Sequence, residues 1–579
     1  MKALIIKIRY AVLFAATVSM SVLSSCDALD IDPEDSLTQS EIYNDYKDLF
    51  TIKLGLYDIM QSLVEQSFVL GECRGDLVVA GPGAKGQYAD VAEFLDNNIS
   101  EDNRYITWAG YYHLINQCND ALVKYPILKL KQPKLEEGTP DDPETLPAMY
   151  KHIVGETLWL RAWAYFKLVQ NWGDVPFYTE PIYTIEASDD ERYNKIVSQD
   201  SILNQLERDL SYAFRYCEFN WAWANMPALW NHETVNMCAV VSLYTDVLMY
   251  RQKYQKAWDV ASKIVEGGYV STFNENFHDS YNLADPDLNQ QWEPAQENPW
   301  FKMQFRYANQ NSGGTYANKE EGLVLAFSIE NSAHNPEPHP LTAWTNNRYS
   351  DGGLYVVKPS YPSLQNFMSS GEQYVERGEF GSYFVDEEYS AGNADTIIWK
   401  YVGLRCVKAA ASTDESNTSA KPKMADVTRR GVERNLGYGN INVCRTAGLW
   451  LRAAEAANRI GLGTKAIELI NNVRTRVEAD QSSTKNDASV EEIEDAILME
   501  RALELAYEGE RWYDLVSIAV RRGDPNWLID KVVAKAPQSE KAAVRARLQY
   551  QKDLMLDQIP EGADPKMYWW KLPRPAVYR

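Results

Sequence analysis

The sequence predicts a mainly α protein: about four stacked helical hairpins forming a scaffold, with a large, irregular, loop-rich insertion carrying short strands. Three observations point there. Apolar residues recur at helical spacing over several long segments, some of these segments break and resume as matched pairs, and residues 271–440 hold most of the Gly, Asn, Ser and Pro clusters.

The chain opens with an export signal. Lys2, Lys7 and Arg9 precede the apolar stretch Tyr10 to Val22, and Leu23-Ser24-Ser25-Cys26 places small residues before a cysteine. Residues 1–25 thus read as a lipoprotein signal peptide, cut so that Cys26 carries acyl chains; several chains anchor stably where one does not. The apolar stretch falls short of the roughly 20 residues that a spanning helix needs. Residues 26–39, with Asp27, Asp30, Asp32, Glu34 and Asp35, are too acidic to pack and read as a flexible tether. The remainder, 40–579, reads as one domain, with scaffold at 40–270 and 441–579 around the insertion 271–440.

Within the scaffold, Ser40 is placed to cap a helix from Glu41 to Glu65. Asn103 to Lys124, Tyr150 to Trp172 and Gln199 to Tyr216 follow as amphipathic helices. Asn236 to Val270 is a helix, a break near Arg251 to Lys253, and a second helix. With Tyr244 and Leu248 on the first arm and Ala261 and Ile264 on the second, it resembles a tetratricopeptide repeat. Cys444 to Val477 fits the same template, with Trp450, Ala454 and Ala457 facing Ala466, Ile470 and Val473. A looser pair spans Val490 to Val520, turning at Glu508-Gly509-Glu510, and a fourth joins the helices around Arg161 and Leu206. A hairpin cannot bury its apolar face alone, so these units must stack. In the insertion, Gly322 to Ser328 and Thr396 to Val402 read as short strands, and a long irregular stretch on a rigid scaffold is where binding tends to reside.

Charge and motif content exclude several function classes. The chain carries −23 at pH 7, and loss of residues 1–25 removes three positive and no negative charges, leaving −26; nucleic acid is excluded as a partner. Cys73, Cys118, Cys217, Cys238, Cys406 and Cys444 show no metal-ligand spacing and read as small buried side chains. The six histidines form no HExxH or HxH pair and GxSxG is missing, so no metal, no cofactor and no catalytic residue is assigned. Gly81-Pro82-Gly83-Ala84-Lys85-Gly86 satisfies GxGxxG but stands among helices rather than in a βαβ unit, and reads as a flexible surface loop. Aromatic residues are abundant, 17 Trp, 36 Tyr and 16 Phe; flat rings stack on sugar faces while neighbouring polar groups satisfy hydroxyls.

Several ordered segments then resemble the SusD/RagB nutrient-binding lipoproteins of Bacteroidetes. Leu70-Gly71-Glu72-Cys73-Arg74-Gly75-Asp76 is similar to that family's early E-x-R-x-D segment. Gly155 to Ala162 with Tyr165-Phe166, followed by Gly173-Asp174-Val175-Pro176, resembles its next helix and exit. Arg445 to Asn458, Ile470 to Arg474 and Glu504 to Leu515 resemble the remaining hallmarks, whereas Leu572-Pro573-Arg574-Pro575 departs from the family's final P-I-P and puts the docking of the tail in question. Arg161, Glu455 and Arg511 sit in apolar helix patterns and read as ion-pair partners between helices, and Trp108 reads as core.

The resemblance implies a non-catalytic outer-membrane lipoprotein, facing the cell exterior, that captures glycan for a SusC-like TonB-dependent transporter. An oligopeptide-binding role of the RagB kind and a surface glycoside hydrolase are the alternatives. Carried over by position, the ligand site comprises Arg74, Asp76, Tyr88 and Phe94 on one side and Trp292, Trp300, Trp344, Arg348, Tyr349 and Asp351 on the other, with Cys26 as lipidation site.

Overall fold

The computed structural model describes residues 44–140, 145–184, 187, 190–217, 234–266, 321–325, 340–345, 354–371, 377–378, 381–386, 395–401, 441–477 and 479–575. Twelve of its longer helices carry the architecture: α1 Asp48–Ser62, α2 Ala109–Lys131, α3 Thr145–Trp172, α4 Gln199–Tyr216, α5 Met237–Tyr250, α6 Tyr254–Val265, α7 Thr446–Arg459, α8 Gly463–Arg476, α9 Val490–Glu504, α10 Arg511–Arg522, α11 Pro525–Val533 and α12 Lys541–Asp553. Successive helices are neighbours from α1 through α8, and α9 then packs on α7 and α8, so the hairpins stack in a continuous array.

The local signals explain the boundaries. Ser198 and Asn236 cap α4 and α5 by accepting the backbone N–H of Ser201 and Ala239, and Ser489 with Glu492 forms a reciprocal capping box at α9. The break at Arg251 to Lys253 separates α5 from α6, with Tyr244, Leu248, Ala261 and Ile264 buried between them. Trp450, Ala454, Ala457, Ala466, Ile470 and Val473 are likewise buried between α7 and α8. The α9–α10 pair is joined by Arg501–Asp514 at 2.8 Å and Arg521–Glu494 at 3.0 Å. Arg161 reaches from α3 to Asp209 of α4 at 2.8 Å, Glu455 is held by Arg452 and Arg521, and Trp108 is buried, as the patterns require.

Some elements differ from the expectation. Asn44 to Lys47 form bends and a turn, so the first helix starts at Asp48, whose carboxylate accepts the backbone N–H of Asn44 and Asp45; Ser40 lies outside the described residues. The helix expected to end at Lys124 runs through Pro126 to Lys131, because Tyr125 and Leu128 are buried with Leu49, Leu135 and Met149 in a small core of their own. After Val64–Phe68 the chain widens into a π-helical turn, Val69–Cys73, that periodicity does not reveal.

Among the described residues strands form four antiparallel pairs: β1 Val78–Ala80 with β5 Val357–Pro359, β2 Val175–Pro176 with β3 Ile196–Val197, β4 Glu321–Leu325 with β8 Ile441–Arg445, and β6 Tyr383–Asp386 with β7 Asp395–Ile398. The two runs read as strands in the insertion thus hold strands at Gly322 to Leu325 and Thr396 to Ile398, paired with β8 and β6. Among the described residues Cys73, Cys118, Cys217, Cys238 and Cys444 form no disulfide with one another, and the first four are buried; Cys406 lies outside the described residues. Among the described residues no helix is long and apolar enough to cross a membrane, and no cluster of His, Cys, Asp or Glu could hold a metal ion.

Candidate ligand-binding site

The π-helical turn aims three alternate side chains into the C-terminal third of the molecule. Glu72 accepts the backbone N–H of Tyr507 at 3.1 Å and of Gly509 at 2.9 Å. Both residues have positive φ, 69° and 84°, so the carboxylate holds a turn that only a fixed partner keeps in place. Burial pushes the Glu72 carboxyl up to about 8 despite those two donors. The Arg74 guanidinium lies 4.0 Å from the Trp512 ring centroid and donates to the carbonyl of Trp570 at 2.8 Å. Asp76 takes a two-pronged contact from Arg511, Nε to Oδ1 at 2.6 Å and Nη2 to Oδ2 at 2.9 Å. Burial would raise the Asp76 carboxyl, but Arg511 overcomes it and holds the group below its ordinary value.

Arg74 and Asp76 were expected to meet ligand. Both are buried and committed to internal partners, so their work in this fold is to join the two ends of the chain. Phe94 is also buried, edge-on to Tyr105 with ring centroids 6.2 Å apart. The tail is not loosened by its unusual sequence: Lys571 donates to the carbonyls of Val169 and Gln170, and the backbone N–H of Leu572 to Asn171 at 2.7 Å.

Tyr88 and Trp344 are brought together. Their rings meet edge-to-face at 5.8 Å, with Trp344 1% exposed and Tyr88 half-buried. The glycine loop makes this possible. Gly81 and Gly83 donate to the carbonyls of Val356 and Tyr355 at 2.8 and 2.9 Å, extending the β1–β5 pairing. A Cβ on either glycine would run into the backbone carbonyl of Tyr355 or Leu354. The loop read as flexible is therefore pinned, and Leu354 is pinned in turn by donating to the carbonyl of Ala343, one residue before Trp344.

Asp90, two residues past Tyr88, lies 3.6 Å from Arg104, which also reaches Glu65 at 3.6 Å; all three side chains are about one-third to one-half exposed. Tyr105 donates to Glu65 and accepts from Arg104 Nη2 at 2.6 Å. Burial and the neighbouring Glu65 carboxylate push the Tyr105 hydroxyl up, which keeps it a donor at every physiological pH. Sequence reasoning missed Glu65, Asp90 and Arg104, because they come from three segments with no common period. A half-buried ring such as Tyr88 can stack its open side on an apolar face, and partly exposed carboxylates and a guanidinium can hydrogen-bond hydroxyls. Trp292, Trp300, Arg348, Tyr349, Asp351 and Cys26 lie outside the described residues.

The irregular region is tied to the scaffold by buried charge. Arg377 meets Glu500 at 2.5 Å and Glu504 at 3.1 Å, Lys400 meets Glu508 at 2.6 Å, and Arg445 closes the network on Glu504 and Glu508. A crevice lined by Trp163, Lys167, Asp246, Arg452 and Glu510 lies between α3, α5, α7 and α10 and holds only about 60 Å³ of water-accessible space, too little for an oligomeric ligand.

Comparison with known proteins agrees with this architecture. The SusD family model matches residues 407–578, and a model described as "Starch-binding associating with outer membrane" matches 31–216, so the two together cover more than half of the chain. A SusD-like protein of Formosa agariphila is 25% identical over 524 residues, 87% of this chain and 90% of that relative. Among solved structures, a SusD superfamily protein from Bacteroides vulgatus ATCC 8482 superposes with a TM-score of 0.59 at 17% identity, covering 93% of this chain and 97% of that one. A laminarin-binding SusD-like protein gives 0.58 at 19% identity, with the same coverage. With the helical-hairpin array, both family models and relatives spanning nearly its whole length in agreement, the chain belongs to the SusD/RagB family.

Proposed function

We propose that the protein is a lipid-anchored, outward-facing glycan-binding protein of the outer membrane, which captures oligo- or polysaccharide without cleaving it and passes it to a SusC-like TonB-dependent transporter. The observation that carries this reading is the Tyr88 ring, backed by Trp344 and following a loop that its glycines fix to the segment 354–359. A preorganised ring loses little freedom when a sugar stacks on it. The family model's own description, starch-binding and outer-membrane association, and a structural neighbour that binds laminarin support a glycan ligand. The signal peptide 1–25, the acylated Cys26 and the acidic tether 26–39 supply the anchor, and a tether of that kind lets the body open and close over a transporter. Trp292, Trp300, Arg348, Tyr349 and Asp351 form the opposite wall of the site in this proposal, on the insertion 271–440.

Calorimetry against a panel of starch, laminarin and other glycans, with an oligopeptide mixture as the competing class, tests the assignment. Tyr88→Ala is expected to weaken glycan binding by about 0.5–1.5 kcal/mol or more, the worth of a stacked ring beyond its buried area, with the helical circular dichroism retained. Binding confined to peptides overturns the sugar reading, and sustained release of reducing ends by the pure protein overturns the non-catalytic one.

A further inference from the structure

We propose that the C-terminal end of α2 carries a lipid-docking face, which rests on the membrane to which Cys26 anchors the chain. The inner side of this helix is buried through Ala121, Tyr125 and Leu128. Its outer side is also apolar: Val123 is 45% exposed, Ile127 48% and Leu130 80%, with Pro126 between them. The spacing i, i+3, i+4, i+7 puts all four on one stripe. A helix apolar on two faces, one of them open to water, has a partner to find.

The position of the stripe says which partner. Asn44, the first described residue, is held against the end of this helix by Lys131 Nζ at 2.9 Å and Gln132 Nε2 at 2.6 Å. Asn44 therefore sits beside the end of α2, and positions 27–43 separate it from Cys26. Those 17 positions span at most about 60 Å even fully extended, so this end of α2 is tied within that distance of the headgroups. Lys124, Lys129, Lys131 and Lys134 lie along and beside the stripe in a chain of strongly negative charge, with Lys124 paired to Asp120 at 2.8 Å and Lys131 engaged by Asn44. Tyr183, 60% exposed with the Lys124 ammonium 5.7 Å from its ring, adds an aromatic suited to headgroup depth. Glu136 pairs with Lys129 at 3.3 Å and offsets part of the positive charge, so the aliphatic residues carry the contact.

This inference rests on the lipid-anchor reading, and the experiment separates the two. The native acylated protein is reconstituted into phosphatidylethanolamine and phosphatidylglycerol vesicles with brominated acyl chains, carrying a solvatochromic dye at Ile127→Cys or, as control, at Tyr550→Cys on exposed α12; the parent chain treated alike sets the background. The dye at 127 is expected to shift blue and be quenched, and the dye at 550 to do neither. A water-like dye at 127 on protein that floats with the vesicles overturns the docking face while leaving the anchor intact. A blue shift already present without lipid, or shielding without quenching that needs a co-purified transporter, assigns the stripe to a protein partner and overturns the proposal as well. Protein that does not float refutes the anchor, and the docking face falls with it.

Discussion

Replacing Asp76 should cost stability and spare ligand affinity. The carboxylate meets Arg511 through two hydrogen bonds of 2.6 and 2.9 Å, with both side chains 5% exposed. Asp76→Ala strands the guanidinium, leaving it the Leu498 carbonyl at 3.2 Å as a hydrogen-bond acceptor. Breaking a buried pair from one side costs about 3–5 kcal/mol, between roughly two and four powers of ten in the folding equilibrium. The negative field of Asp514 near Arg511 softens this toward the lower figure. Urea denaturation followed by tryptophan fluorescence should show a lower midpoint, and adding Arg511→Met should restore much of the loss, because the double variant removes both buried charges. The pH dependence has a definite sign. Because Arg511 holds the folded carboxyl below its ordinary value, the wild-type pair contributes above the unfolded pKa near 4, and the contribution fades as pH falls through the folded value. Asp76→Asn should flatten that acid limb. An unchanged midpoint in Asp76→Ala together with tenfold weaker glycan binding would refute the burial argument and return Asp76 to the ligand site.

Other consequences are open to measurement. Gly83→Ala places a methyl group inside the Leu354 carbonyl, so the loop must separate from the segment 354–359; limited proteolysis near residue 83 should speed up and glycan affinity should drop while the helical circular dichroism is retained. Lys571 is buried against the carbonyls of Val169 and Gln170, and burial brings its ammonium down to about 7. Between that value and the unfolded pKa near 10.4 the unfolded chain binds the extra proton, so this group adds to stability with rising pH by up to about 1.4 kcal/mol per unit, a slope that Lys571→Met should remove. Glu72 acts oppositely: its carboxyl at about 8 makes the folded state bind the extra proton from the unfolded pKa near 4.3 upward, so its contribution to stability declines toward pH 8, a decline that a charge-free Glu72→Ala chain should lack in denaturation runs at successive pH values.

Much of the scaffold was legible without coordinates. The periodicity of Gln199 to Tyr216 gave α4 its observed bounds, the break at Arg251 to Lys253 located a hairpin, and the apolar surroundings of Arg161 and Glu455 announced interhelical ion pairs. These are local properties, carried by spacing and capping within a few turns. The candidate site was harder. Motif position alone assigned Arg74 and Asp76 to ligand, since a sequence shows that charges alternate along a segment but not that a π-helical turn points them at residues more than 400 positions away.

The sequence by itself determined a helical-hairpin scaffold, a strongly acidic chain and the order of its family hallmarks, because periodicity, charge and chain order are written in one dimension. Only the tertiary structure decided that Glu72, Arg74 and Asp76 fasten the two ends of the chain together, that Gly81 and Gly83 fix Tyr88 against Trp344, and that α2 is apolar on its outer face. Each of these depends on which distant surface a side chain meets and on how much water remains around it once the helices have packed.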